Sequence, residues 1–233
     1  MGCLGNWNRN NNMKMRRLLF ILTYYLARLG LVVRSKKLIF YESPHNFDQP
    51  FEPCTEIKFS ILDANQIRAS QSFLGWLRRE DAISDAKTEG RWMLAAYKGK
   101  EMVGNCWLHS GSTDLGIFEI NGRVAPDCVY ITHVYVHPSA RNYGLAKALI
   151  TNAMKYARSI GYGRCNLCCV PENSAMIRIM CNLGWSYTHR AHYLRLFCFR
   201  RYSVAFPEKR KILTAFDTVY ASSFIMHGMI IPG

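Results

Sequence analysis

The stretch Val134 to Lys147, Val-Tyr-Val-His-Pro-Ser-Ala-Arg-Asn-Tyr-Gly-Leu-Ala-Lys, constrains this chain more than any other. Cys128 to Val136 is rich in β-branched and aromatic side chains and predicts a strand, which His137-Pro138 ends because proline has no N–H to donate to a ladder. After Gly144 the apolar residues Leu145, Leu149, Ile150, Ala153, Met154 and Ala157 recur at helical spacing. Lys147, Asn152, Lys155 and Arg158 fill the other side, so a helix is predicted that Gly161 closes. A tight turn from strand into helix aims several unpaired N–H groups outward, at a helix end that carries about half a positive charge. Gly144 and Ala146 keep side chains out of the way, so a pyrophosphate can approach the backbone closely. The stretch reads as an anion site.

Two other phosphate-binding patterns are disfavoured. A dinucleotide site of the Gly-x-Gly-x-x-Gly kind is missing, with no acidic residue about 20 positions onward in a βαβ unit. No Walker loop is present either.

The flanking sequence predicts a mixed α/β (α+β) domain. Gln66 to Arg79 has apolar Ile67, Phe73, Leu74 and Leu77 and predicts a helix. Trp92 to Tyr97 and Met102 to Leu108 predict a hairpin turning at Lys98-Gly99-Lys100. Gly111 to Pro126 reads as a loop with a short apolar run at Ile117 to Ile120. Beyond the first helix, Arg164 to Val170 predicts a strand, Asn173 to Leu183 a helix closed by Gly184, and Ser186 to Phe199 one or two strands. A length of 233 residues suits one core with extensions.

Arg141-x-x-Gly144-x-Ala146 after a strand ending Val-x-Val-x-Pro resembles the coenzyme motif of the GNAT superfamily of acyl-CoA-dependent N-acyltransferases. Asn173 to Gly184, followed by Trp185, resembles that family's next motif. Together the likeness covers about residues 55 to 200, and its strength lies in the order of strand, turn, helix, strand and asparagine. It implies a central mixed sheet flanked by helices, with acetyl-CoA or another acyl-CoA as donor. By the same resemblance the main chain around Val134, Tyr135 and Val136 pairs with the pantetheine arm. Arg141 and the amides of Asn142, Tyr143, Gly144, Leu145, Ala146 and Lys147 hold the pyrophosphate, and Asn173 meets the coenzyme farther along.

The implied reaction is direct attack of an amine on the thioester, which calls for a base, an oxyanion site and a proton for the thiolate. Where the family often keeps a glutamate base this chain has Thr132, and where it keeps a tyrosine acid this chain has Met180. His133 becomes the candidate base, its reference pKa of about 6.5 suiting the task, although a strand histidine can equally be hydrogen-bonded into the core. Tyr187 is the candidate acid, with Cys181 nearby, and both also read as packing residues. Transfer by positioning, a longer-chain synthase using acyl-CoA or acyl carrier protein, and an acyl-CoA-binding module without turnover all stay open.

A formal charge of +14 calls for anionic partners. Residues 1 to 40 contain Arg9, Lys14, Arg16, Arg17, Arg28, Arg34, Lys36 and Lys37 and no Asp or Glu. The apolar run Leu18 to Val33 is shorter than the roughly 20 residues a bilayer span needs, and Arg28 interrupts it. Nor does a small-residue cleavage site follow it. A helix lying on an anionic membrane surface through residues 14–37 fits, as does a helix packed on its own domain or on a partner subunit. Met1-Gly2-Cys3 lacks the Ser or Thr that myristoylation wants at position 6. The expected division is therefore 1–53, a basic and apolar N-terminal helical arm with a proline-rich linker; 54–200, the acyltransferase domain; and 201–233, a C-terminal extension.

The scattered, odd set of nine cysteines points to a reducing cytoplasm, with attachment peripheral to a membrane. Cys165-x-x-Cys168 has no second ligand pair, so no metal is expected. The expected partners are acyl-CoA and a small-molecule or protein amine; nucleic acid is disfavoured for want of a recognition motif, and the sequence leaves the oligomeric state open.

Overall fold

The computed structural model describes residues 33–44, 56–69, 79–115, 120–196, 199–205, 212–217, 224–226 and 229–231. The expected helix at residues 18–33 and most of the membrane-facing stretch at residues 14–37 lie outside them. In chain order the elements begin β1 (Val33–Glu42), β2 (Ile57–Leu62), α1 (Ala64–Ala69), α2 (Arg79–Lys87), β3 (Arg91–Lys98) and β4 (Glu101–His109). Next come β5 (Ser112–Leu115), β6 (Ile120–Val124), β7 (Cys128–Val136), a 3-10 turn (Pro138–Ala140), α3 (Leu145–Ser159) and β8 (Arg164–Cys169). The chain continues with α4 (Ser174–Asn182), β9 (Ser186–Leu196), β10 (Phe199–Ala205), β11 (Ile212–Asp217), β12 (Phe224–Met226) and β13 (Met229–Ile231).

A nine-stranded sheet runs in the order β11-β10-β9-β1-β8-β7-β4-β3-β2. Its pairs are antiparallel except β7 with β8, which run parallel with α3 as their crossover. This is the mixed sheet with flanking helices that the sequence predicts. The hairpin turns at Gly99, whose φ of 61° a side chain would resist.

Each sheet face is covered. Val129, Ile131 and Leu167 pack on one side with Leu149, Ile150, Ala153 and Met154 of α3 and Met180 of α4. On the other, Met93 and Trp107 meet Ile67 of α1 and Ala82 of α2, while Leu38, Phe40, Tyr130 and Tyr193 form a neighbouring cluster.

The largest departure from expectation is β1. It lies between β8 and β9, pairing Ile39 with Cys169 and Tyr41 with Leu167 on one edge, and Leu38 with Ala191 and Phe40 with His189 on the other. Leu38, Ile39, Phe40 and Tyr41 are all buried. A strand covered on both faces needs a continuous apolar run rather than alternation, which is what Leu38 to Tyr41 provides. At its end Ser43 N donates to Cys165 O at 2.8 Å and Cys165 N donates to Ser43 Oγ at 2.9 Å. Arg164 joins Asp127 through two hydrogen bonds of 2.8 Å and reaches Glu42 at 3.2 Å. Residues 33–44 therefore belong to the core, and a boundary at residue 53 does not divide arm from domain. The boundary at 200 likewise falls inside β10, which pairs along β9 and satisfies its outer edge.

Smaller differences follow the same logic. Within Gly111 to Pro126, read as a loop, β5 and β6 form a hairpin, and β6 also pairs with β13. Of the helix expected over Gln66 to Arg79, α1 ends at Ala69 and α2 begins at Arg79, with 70–78 outside the described residues. Among the described residues no helix is long and apolar enough to cross a membrane.

Candidate coenzyme and acyl-transfer site

An irregularity in β7 makes the site. Trp107 of β4 pairs with Thr132, but Asn105 pairs with Tyr135, so β7 carries one residue more than its partner. His133 absorbs the extra length at φ 51°, a left-handed conformation rare outside glycine. Such a bulge bends its strand, and the register of β7 with β8 stops at Ile131 opposite Leu167. Val134, Tyr135 and Val136 continue past that point, half-buried, with the two valines packed toward α3. The two parallel strands thus diverge where β7 approaches the turn, leaving an edge that an extended ligand can follow.

Beyond the strand, His137 N donates to Val103 O at 2.8 Å, and the His137 imidazole lies 2.7 Å from Ser139 Oγ, which fixes the 3-10 turn. Arg141 Nε donates to Val136 O at 3.2 Å. Asn142 at φ 68° and Gly144 at φ 75° then turn the chain into α3. Gly144 is the N-cap and offers no capping side chain to the first-turn amides. Arg141, Asn142, Tyr143 and Gly144 are exposed, Ala146 and Lys147 half-buried, and Leu145 buried, so Leu145 packs its side chain in the core and can serve a ligand only through its backbone. Asn173 stands exposed at the start of α4, where its Oδ1 accepts from Met176 N at 3.1 Å. Both helices start just beyond the carboxyl ends of the two diverging strands, and both dipoles favour an anion there.

Gly104 was not singled out by sequence. It pairs with Val136, and a Cβ there would stand 2.9 Å from Tyr135 O and 3.0 Å from Leu149 Cδ1. Only a bare backbone lets α3 lie this close to the strand. A glycine inside a strand was the available signal.

The model of the acetyltransferase (GNAT) family matches residues 59–185. The chain belongs to the GNAT family. It is accordingly an acyltransferase of the N-acetyltransferase type. The fold is also similar to solved structures. One is a putative GNAT acetyltransferase from Novosphingobium aromaticivorans DSM 12444, with TM-score 0.47, 15% identity and coverage of 69% of this chain and 64% of that one. A second is the aminoglycoside acetyltransferase meta-AAC0020 from an uncultured soil metagenomic sample, in complex with sisomicin, with TM-score 0.42, 13% identity and coverage of 55% and 88%. The third is AAC(6')-Iy in complex with a CoA-S-monomethyl-acetylneamine bisubstrate analog, with TM-score 0.44, 16% identity and coverage of 56% and 90%. No curated protein matches the sequence.

Thr132 and Met180 stand at the two positions where the resemblance implies a base and an acid. Thr132 is half-buried, and its Oγ1 lies 3.2 Å from Nδ1 of His133. Met180 is fully buried in the core and has no proton to give. Tyr187 lies on β9, with β1 between it and β8, so β9 stands about 10 Å from β8 at ordinary strand spacing. There its ring meets Tyr41 edge-on at 6.3 Å, with the Arg190 guanidinium 5.8 Å from its centroid. His133 therefore stands on β7 at the bulge, and Tyr187 stands apart from it, beyond β8 and β1. Cys181 is exposed on α4.

Other polar groups share the face of Trp107 and Thr132. His109 is buried, edge-on to Trp107 at 6.2 Å, and opposite Arg91 in the β3 ladder. Burial above all, then the Arg91 guanidinium and the neighbouring His133 imidazole, pushes its pKa down to about 3, so it stays neutral. Arg91 is paired in turn with Asp85 of α2. Tyr130 Oη lies 2.8 Å from Cys168 Sγ; burial raises the phenol well above its ordinary range and the thiol to about 12. A thiol so raised is no nucleophile at neutral pH. Cys165 belongs to the α3 side and Cys168 to the other, as an odd spacing in a strand requires, so the pair cannot clasp one ion. Among the described residues no cluster of His, Cys, Asp or Glu could hold a metal.

Proposed function

We propose that this chain moves an acyl group, acetyl by default, from acyl-CoA to the nitrogen of a small-molecule or protein amine. The observation that carries the reading is the divergence of β7 from β8 at the bulge, with two helix N-termini beyond it. The pantetheine arm would extend the sheet along Val134, Tyr135 and Val136, and the pyrophosphate would rest on the amides from Asn142 to Lys147, with Arg141 and Asn173 beside it. The neutral amine attacks the thioester carbon; a C–N bond forms, the C–S bond breaks, and the nitrogen's proton passes to the imidazole of His133. The thiolate takes a proton from water, since Met180 offers none. Positioning supplies much of the acceleration, which a site with so few acid and base groups requires.

A second reading, binding of acyl-CoA without turnover, is favoured by Thr132 and by the burial of Met180. Calorimetry with acetyl-CoA, coupled to a free-thiol assay over a broad amine panel, separates the two. Gly144→Val should weaken coenzyme binding at least tenfold by roughly the cost of a strained left-handed backbone. His133→Asn keeps a residue tolerant of positive φ and should leave coenzyme affinity near that of the parent while lowering kcat by about 100-fold or more. Full turnover by His133→Asn removes His133 from the mechanism, and binding without thiol release by the parent leaves only the binding module.

A further inference from the structure

Successive strand residues point to opposite faces of a sheet, so regular alternation would turn Thr132 and His133 apart. They meet instead, with Thr132 Oγ1 3.2 Å from His133 Nδ1. The bulge is the cause: His133 takes φ 51° where β7 carries one residue more than β4, and a bulge re-aims a side chain. Thr132 stands opposite Trp107, which packs with Ile67 and Ala82, so the contact lies on that face of the sheet and not under α3. His109, edge-on to Trp107, and Arg91 opposite it in the ladder share the face.

Neither neighbour sets an uncompensated positive charge against an imidazolium at 133. Burial keeps His109 neutral, and Arg91 is paired with Asp85. With Nδ1 engaged by the hydroxyl, the His133 ring has one nitrogen left for an incoming amine, Nε2. Nε2 can take a proton only in the tautomer that carries its hydrogen on Nδ1, and the partner of one ring nitrogen sets the state of the other. Thr132 Oγ1 is in place as the acceptor which that tautomer needs.

We infer that Thr132 is a positioning residue: its hydroxyl oxygen accepts from Nδ1–H of His133 and holds Nε2 bare for the amine's proton, a role that rests on the transfer proposed above. As the amine nitrogen bonds to the thioester carbon and the C–S bond breaks, Nε2 gains that proton. Nδ1–H then becomes a charge-assisted donor to the same oxygen, which steadies the imidazolium. The thiolate takes a proton from water, and the hydroxide left behind accepts the one on Nε2. Threonine cannot itself be the base. The pair divides the task instead, with histidine carrying the proton and threonine fixing which nitrogen takes it.

Heteronuclear NMR of the full chain with isotope-labelled histidine imidazoles tests the contact without turnover, His133→Asn serving to assign the resonances. At alkaline pH the parent's His133 should carry its hydrogen on Nδ1. Thr132→Val should revert to the Nε2–H form that an unrestrained imidazole favours, and Thr132→Ser should keep the parent's form. In steady-state kinetics with acetyl-CoA and an amine from the panel that the parent acetylates, Thr132→Val should lower kcat roughly 10- to 100-fold, as loss of one hydrogen bond to a charged ring implies, with KM for acetyl-CoA unchanged. Thr132→Ser should restore kcat, which a packing role for the threonine methyl does not predict. An Nε2–H parent, or a Thr132→Val variant that turns over like the parent, overturns the inference, and the parent's spectrum depends on no variant folding. A slow His133→Asn beside an Nε2–H parent leaves the proposed transfer standing, whereas full turnover by His133→Asn, or none by the parent, removes both.

Discussion

His109 shows how much a single side chain can set. Sequence marks it only as a histidine at the end of a predicted strand; its burial beside Trp107 and opposite Arg91 follows from strand pairing. With a folded pKa near 3 against about 6.5 when unfolded, the unfolded chain binds the extra proton as pH falls below about 6.5. The stabilisation is therefore present above about pH 6.5 and lost progressively toward pH 3. Between pH 7 and pH 5 this amounts to about 2 kcal/mol. Urea unfolding of the parent should show that loss, and His109→Gln should abolish most of it, whatever the variant's stability at pH 7. His133 has the complementary history: its residue type was legible as a base, whereas its φ of 51° and its bond to Thr132 depend on a register slip against β4 that no local pattern announces.

At the scale of elements, the strand, turn and helix from Cys128 to Ser159 were legible because each carries its own period and punctuation. β-Branched residues, then His-Pro, then Gly144, then apolar positions at helical spacing all agree. What sequence did not supply is how closely α3 approaches the sheet. Gly104 sets that distance, and Gly104→Ala should cost about 1–3 kcal/mol because the new methyl meets the backbone oxygen of Tyr135 as well as a flexible leucine. Thermal unfolding measures the loss. The same substitution should weaken acetyl-CoA binding in calorimetry, as Tyr135 lies on the strand proposed to pair with pantetheine. A stable variant with unchanged affinity would mean that α3 can move away without disturbing β7.

For the whole molecule, β1 decides whether there is one sheet or two pieces. It is the link between β9-β10-β11 and β8-β7-β4-β3-β2, and its four buried apolar residues are worth about 1.5–3 kcal/mol each, against a typical total stability of about 5–15 kcal/mol. Removal of residues 1 to 32 should leave a cooperatively unfolding domain, whereas removal of residues 1 to 44 should leave a chain without a sharp thermal transition. Calorimetry of the two truncations distinguishes a core strand from a dispensable arm. The amino acids alone determined the fold class and the strand, turn and helix from Cys128 to Ser159, because these are written in local periodicity and in small residues at fixed spacing, and the likeness of that stretch to a known motif pointed to the family. Tertiary structure decided that residues 33–44 belong to the core, that β1 separates Tyr187 from the parallel strands, and that Thr132 and His133 meet at a bulge. Those are facts of long-range pairing, and a strand's sequence shows which faces it buries but not which neighbours it will join.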